Sequence, residues 1–586
     1  MAPTTQGKLQ PSMAEVDRML VEAGPGTHFE LDHEMIQGRK QLVWKNRLKM
    51  FGDRPLLSSP TPDGEAREQL SYREVRLRSQ ILAGWLWDQG VRVGTRVALG
   101  GLNSAAWVVA FCAVHIAGAV PVLLNSTLPA PLQKHCLLLT EPKITLVDGK
   151  LAALIQPILP ELRARCIDPY CWDHGMECGL HRLEPSASAE AVRALDSGRA
   201  TQSLHPESDG MIMFTSGTTN HPKAVLVTQR SALSHVPTAA FPVARAILRA
   251  GGSLEDALAA HDPPKEPSVM LVPVPLFHVT GCLSWLLKAM TYGHKVVFTR
   301  RWNVPDAIKL IVDERVDVIG GVPAIATSII QSGLLPANWQ FKSVGYGGAP
   351  PPAGLPEEIV RRWPNAKIAN GYGMTETNGI ITSLVGADYV RDNTSCGPPV
   401  PICEIRIVDP EDTSKEMPTG TPGVLMARGS MLMEGYLRNE EATRAAVSPD
   451  GWFNTGDVGY VDAEGFVTIS DRAKDIIIRG GENIASGEVE NAITADSRIE
   501  HAAAVPVPDK TLGELVAVAV TLAPGASATP ESIIETASPR LRHAARPVFV
   551  MVFEEDFPRA ASGKVLKKDI KEIVAREFAK LNRAKL

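Results

Sequence analysis

Residues 1 to about 470 alternate short β-rich apolar runs with amphipathic segments, and that alternation restricts this stretch to a layered α/β architecture. Val269–Val274, Lys295–Phe298, Val316–Ile319 and Lys342–Tyr346 read as strands, and Pro305–Glu314 between two of them has helical spacing. Strands that alternate with helices imply parallel sheets. Near Asp471 the pattern changes. A strand at about 475–479 leads through a Gly480-Gly481 turn to a helix from Ser486. Two strands follow, at about 501–506 and 515–522, then a helix opened by Thr529-Pro530, a strand at about 548–553 and a last helix. In that last helix Leu566, Ile570, Ile573, Phe578 and Leu581 recur at helical spacing and predict one inward face. The boundary separates a unit of residues 1–470 from an α+β unit of residues 471–583. A chain of 586 residues is long enough for such separate cores.

Several function classes are excluded early. A formal net charge of −5 without a basic patch gives no case for nucleic acid. The 8 cysteines form no CxxC or Cys/His cluster, which points to a reducing compartment and away from a zinc site. Ser104–Leu124 is apolar and free of formal charge, but Gly118 and Pro121 break it. It reads as a buried helix over 104–117 and a buried strand over 119–124, with no membrane span. Ala240–Pro267 reads as a surface helix plus loop.

The strongest local signal for chemistry is Phe214-Thr215-Ser216-Gly217-Thr218-Thr219-Asn220-His221-Pro222-Lys223. Apolar runs Met211–Phe214 and Ala224–Val227 flank it, so the loop joins two strands. Its hydroxyls can donate to phosphate oxygens, Gly217 lets backbone approach closely, and successive N–H groups form an anion nest. Lys223 adds a compact positive charge. It is not a Walker A loop, which needs Gly-Lys-Ser or Gly-Lys-Thr leading into a helix.

This loop resembles the signature of the adenylate-forming superfamily, which includes acyl-CoA synthetases and 4-coumarate–CoA ligases. Asn220 and Ala224 depart from it where glycine is common. The resemblance runs from about residue 40 to 570, with motifs in the family's order. It implies a large N-terminal domain with a small β-barrel-like part and a mobile C-terminal domain. The Pro275–Gly281 segment resembles the acid-pocket segment, which implies that Phe277, His278 and Val279 line the pocket, with Val322, Gly347 and Met374. His278 stands where amino-acid-activating relatives tend to carry aspartate, so an α-amino acid is not expected. Tyr346-Gly347-Gly348-Ala349-Pro350 resembles one wall of the adenine site. In Asn370-Gly371-Tyr372-Gly373-Met374-Thr375-Glu376-Thr377, the resemblance implies stacking of Tyr372 on adenine, a Thr375 bond to the α-phosphate and a Mg²⁺ ligand in Glu376. Asp457 is implied to take the ribose hydroxyls, Arg472 to contact ribose or phosphate, and Lys474 to be the hinge. Arg479, Gly480 and Gly481 resemble the coenzyme A loop. Lys564, after Ser562-Gly563, is implied to bridge acid and α-phosphate.

The resemblance therefore implies a ligase that uses ATP, Mg²⁺ and coenzyme A to turn a fatty or aryl acid into acyl-AMP and then a thioester. The alternative acceptor is a carrier protein. Lys564, Lys223, Thr375, Glu376 and His278 are its candidate catalytic residues. The tail Ala584-Lys585-Leu586 is close to the peroxisomal address Ser-Lys-Leu, which predicts an import receptor as partner and the peroxisome as location, with the cytoplasm as alternative.

Overall fold

The computed structural model describes residues 11–22, 47–173, 179–215, 221–352, 354–472, 475–479, 482–559 and 565–584, with the side chains of 21–22, 235–239, 483 and 582–584 outside that description. Two eight-stranded sheets form the framework of the large unit. In the first, Val269–Val272, Lys295–Phe298, Val318–Gly321, Ser343–Gly347 and Lys367–Met374 run parallel in the interior, and Gly379–Val385 and Arg67–Ser71 are antiparallel edges. In the second, Val120–Leu124, Arg96–Gly100 and Ile144–Val147 are central parallel strands. The hairpin Asp209–Thr215/Lys223–Thr228 joins them, with Gly435–Tyr436 on its outer edge. Open parallel sheets bind ligands beyond the carboxyl ends of their strands, which is where Thr215, Gly347 and Met374 lie.

The apolar stretch after Asn103 divides as its breakers predict. Ser104 caps the helix Ala105–Ile116 by accepting from Trp107 N–H, and Gly118 takes a positive φ of 76° before the strand Val120–Leu124. Both elements are buried, and among the described residues no helix is long and apolar enough to cross a membrane. Asn103 does something else. Its Oδ1 accepts from Leu276 N–H at 2.9 Å and its Nδ2 donates to Val274 O at 2.9 Å, which pins the start of the expected acid segment.

Two sequence readings change. The Ala240–Pro267 stretch is not a plain surface helix. The helix His235–Arg249 buries Phe241, Ala244 and Leu248 against Val16 and Leu20 of the helix Met13–Glu22. Arg245 pairs with Asp17, and Arg249 makes a buried bidentate pair with Asp388. The large unit also holds a four-stranded antiparallel sheet, Cys403–Val408, Gly423–Gly429, Phe453–Val461 and Val467–Arg472 in that order. Its described pairings do not join the two edges. In the last helix, Lys567–Ala584, Ile570 and Val574 are buried, while Leu581 is exposed and Leu566 lies exposed just before the helix begins. The inward stripe is thus narrower than the apolar spacing suggests.

The C-terminal unit is α+β. Glu482–Ile484, Ile477–Arg479, Gly513–Leu522 and Ile499–Asp509 pair antiparallel, Phe549–Phe553 adds a parallel strand, and the helices Ser486–Thr494, Pro530–Ala537 and Lys567–Ala584 pack on them. Thr529 and Ser532 close a capping box at the start of Pro530–Ala537.

Candidate active site

The expected nucleotide residues meet where the first sheet, the hairpin and the small sheet converge. Tyr372, on the Lys367–Met374 strand, donates from its hydroxyl to Asp457 Oδ2 at 2.5 Å. Arg472 lies across the ladder from Asp457 and brings Nε to Oδ1 at 3.0 Å. Asp457 is 2% exposed and Arg472 remains open, so a buried carboxylate has one guanidinium at its mouth. Burial first, and then the charge of Asp457, holds the Tyr372 phenol well above its usual pKa, so it stays a donor. Asp457 N–H is fixed by Thr455 Oγ1 at 3.1 Å.

Three residues on from Tyr372, the strand turns into the short 3₁₀ segment Thr375–Thr377. Thr377 holds the turn with hydrogen bonds to Met374 and Gly379, and Asn378 adopts a left-handed φ of 53°. A Cβ on Gly373 would sit 1.8 Å from Gly379 O, so only glycine allows this close return of the chain. Glu376 accepts from the Tyr436 hydroxyl at 2.9 Å. Lys223 places Nζ 4.6 Å over the ring of the same tyrosine. Tyr436 therefore links the lysine of the phosphate loop to the expected metal carboxylate. Sequence reasoning missed it. Its only local trace is a Gly-Tyr pair after an apolar run, and its place comes from pairing with Val225.

Thr215 ends its strand opposite Lys223. Ser216, Gly217, Thr218 and Thr219 lie outside the described residues, as do Lys474, Gly480, Gly481 and Lys564. Gly348, Ala349 and Pro350 form an open bend after the strand Ser343–Gly347. Asn370 is buried, and its carbonyl accepts from Ser383. Gly347 and Gly371 are register partners on adjacent strands, and Val322 leads into the helix Pro323–Ser332.

The acid segment is a tight turn followed by an eight-residue π-helix, Thr280–Leu287. A Cβ on Gly281 would lie 2.1 Å from Pro275 O, which fixes glycine there. Phe277 is buried with its ring 4.7 Å from that of His278, and Val279 is buried beside them. π-helical turns are rare and occur mostly at functional sites.

Beyond the small sheet, Arg479 donates from Nη1 to Ala544 O at 2.6 Å. The strand carrying Arg472 is tied to the C-terminal unit by one charged cluster. Asp471 accepts from Ser486 N–H at the start of the helix Ser486–Thr494, and Lys567 pairs with Glu490 at 2.7 Å and bonds Ser486 Oγ. The anionic Asp471 suits a helix N-terminus that no side chain of its own helix caps.

A family model described as AMP-binding enzyme matches residues 44–437, and one described as AMP-binding enzyme C-terminal domain matches residues 488–564. The chain is 27% identical to 4-coumarate-CoA ligase 1 of Narcissus pseudonarcissus, over 90% of this chain and 92% of that protein. It is 29% identical to the long-chain-fatty-acid–CoA ligase FadD13 of Mycobacterium tuberculosis, over 91% of this chain and 98% of that one. Among solved structures, ATP-bound MatB from Rhodopseudomonas palustris superposes with a TM-score of 0.75 at 25% identity, covering 91% of this chain and 98% of the other.

Proposed function

We propose, from the premise that the chain belongs to the AMP-binding enzyme family, that it is an AMP-forming acid–thiol ligase which joins a carboxylic acid first to AMP and then to coenzyme A. The observation that carries this reading is the continuous run of contacts from Lys223 through Tyr436 to Glu376, and along one strand from Glu376 to Tyr372, Asp457 and Arg472.

A carboxylate is a poor electrophile because oxide would have to leave. Attack of the acid's oxygen on the α-phosphorus of ATP expels pyrophosphate and turns that oxygen into part of a phosphate leaving group. The protein's part is positioning and charge neutralisation. Tyr372 offers a flat ring to adenine, and Asp457 accepts the ribose hydroxyls while Arg472 balances its charge. Thr375 and the 215–219 hydroxyls donate to phosphate, and Lys223 and Lys564 offset negative charge as pyrophosphate departs. Glu376 suits Mg²⁺: it is a hard oxygen donor whose Oε1 is oriented by Tyr436, and among the described residues Oε2 is left open. Bound Mg²⁺ supplies charge neutralisation at the phosphates. Phe277, His278, Val279, Val322, Gly347 and Met374 form the acid pocket.

The thiol of coenzyme A then attacks the acyl carbon and AMP leaves. In this reading the division falls at 470/471, the C-terminal domain turns about Lys474 so that Lys564 withdraws, and Arg479, Gly480 and Gly481 border the thiol's path. The small antiparallel sheet serves as the barrel-like part of the large domain. The peroxisome, reached through a receptor that reads Ala584-Lys585-Leu586, is the proposed location. A reporter carrying that free tail tests it by entering peroxisomes or staying cytosolic.

The test of function is incubation with a carboxylic acid, ATP and coenzyme A. Thioester and AMP should form in equal amounts. Lys564→Ala should lose acyl-AMP formation yet still convert supplied acyl-AMP and coenzyme A. Equal loss of both halves contradicts the two-step account.

A further inference from the structure

The strand Phe549–Phe553 is an open edge of the C-terminal sheet. It pairs with Gly513–Leu522 on one side, and among the described residues no strand pairs with its other side. Its sequence, Phe-Val-Met-Val-Phe, carries no charge and no proline, two of the devices that keep exposed edges from recruiting another strand. A cleft of about 520 Å³ lies along it, lined by Phe549–Val552 and by Glu577, Lys580 and Leu581 of the last helix. Val548 and Leu581 add exposed apolar surface at its border. An apolar edge of this kind is a template for a further strand.

The sequence of the edge fits a second copy of itself. It is a palindrome about Met551. A second copy laid antiparallel, with a two-fold axis at Met551, sets Phe549 opposite Phe553, Val550 opposite Val552 and Met551 opposite itself. Hydrogen-bonding groups alternate from side to side along a strand, and opposed residues in this register differ by an even number. Each residue that turns its N–H and C=O outward therefore meets one of the other copy that does the same.

The side chains match as well, because directly opposed residues share a face. Phe549, Met551 and Phe553 pack on the side of the last helix, and Val550 and Val552 on the side of Pro530–Ala537. Phenylalanine thus meets phenylalanine on one face and valine meets valine on the other. A slip of one residue would lose both matches.

Charge selects the antiparallel direction. Arg546 stands just before the strand, and Glu554 and Glu555 follow it. All three are exposed and make no ion pair among the described residues, whereas Asp556 is engaged by Arg559 at 2.9 Å. Antiparallel pairing brings Arg546 of each copy beside Glu554 and Glu555 of the other, at both ends of the contact. Parallel pairing would set acidic end against acidic end.

We infer that two copies of this chain associate through Phe549–Phe553, antiparallel about Met551, so that their two five-stranded C-terminal sheets become one continuous sheet. The pairing is isologous and closes after two copies. A contact built on so short a strand is reversible rather than permanent. The inference does not depend on the acid-activation reading.

The test is sedimentation velocity of the full chain at low salt, from about 1 to about 200 µM, the range in which a small interface dissociates. Dimer should grow with concentration and weaken as salt is added. Arg546→Glu should raise the dimer Kd by about tenfold or more, and Glu554→Arg with Glu555→Arg in one chain should do the same. An equimolar mixture of these two variant proteins should recover the wild-type Kd within about threefold, because each then meets the opposite charge on the other. A dimer that neither variant weakens, or that the mixture does not recover, is held by another surface and overturns the inference. A chain that stays monomeric at every concentration overturns it too. Binding of a peptide of residues 546–555 by that monomer would assign the edge to a strand of another protein.

Discussion

At the nucleotide end, Asp457 is held between Tyr372 and Arg472 and Glu376 takes the Tyr436 hydroxyl, so these carboxylates have partners before substrate arrives. At the expected acid segment, Phe277 and Val279 are buried among apolar neighbours and carry no charge to be met. The first arrangement is preorganised: its dipoles and charges need little rearrangement as pyrophosphate leaves, which is how a site stabilises a transition state. The second presents apolar surface, which tells acids apart by the shape of their chains. ATP is the same in every turnover and can be met by a finished constellation. The acid is where discrimination is needed, and apolar surface favours chains that fill it.

The contrast is sharpened or broken by substitution. The largest effect is expected at Asp457. Asp457→Asn keeps the shape and removes the charge between Tyr372 and Arg472, and kcat/KM for ATP should fall by ~100-fold. A loss under about threefold would show the contacts to be structural only. Tyr436→Phe removes the hydroxyl on Glu376 but keeps the ring under Lys223. It should weaken Mg²⁺ binding to the enzyme–ATP complex by about tenfold, measured by titration calorimetry without acid, at unchanged Tm. Unchanged Mg²⁺ affinity would remove Tyr436 from the site. Lys567→Met, which leaves Glu490 and Ser486 without their partner, should alter the ratio of the adenylation and thioester half-reactions by a few-fold while ATP affinity stays constant. An unaltered ratio would confine that cluster to stability. The smallest effect belongs to Tyr389→Phe, beside the Ser343–Gly347 strand. It deprives the buried Tyr346 hydroxyl of its acceptor at 3.1 Å and should cost ~1–2 kcal/mol in denaturant unfolding without changing acid preference. A changed preference would mean that the buried face of this strand also shapes the acid site.

Motifs that are continuous strings were readable because their chemistry is local. Phe214–Lys223, Asn370–Thr377 and Asn454–Asp457 each declare a turn with polar groups, and the structure brings Lys223, Glu376, Tyr372, Asp457 and Arg472 into one neighbourhood. What the sequence concealed depends on distant pairing. Tyr436 enters the site only because its two-residue strand pairs with Val225. Asn103 looks like a helix start, yet it holds Val274 and Leu276, and Ser104 makes the cap. The 240–267 stretch looks like surface because its burying partner, the helix Met13–Glu22, lies more than two hundred residues away. The expected inward positions of Leu566 and Leu581 failed because spacing names a face but not how much of it the sheet beneath can cover.

The central claim is that Lys223, Glu376, Tyr372, Asp457 and Arg472 serve one bound ATP whose α-phosphorus a carboxylate attacks. Exchange of labelled pyrophosphate into ATP, in the absence of coenzyme A, tests it most directly. The account predicts exchange that depends on an added carboxylic acid and falls by ~100-fold in Glu376→Ala. Exchange that needs no acid, or that survives Glu376→Ala undiminished, would contradict it.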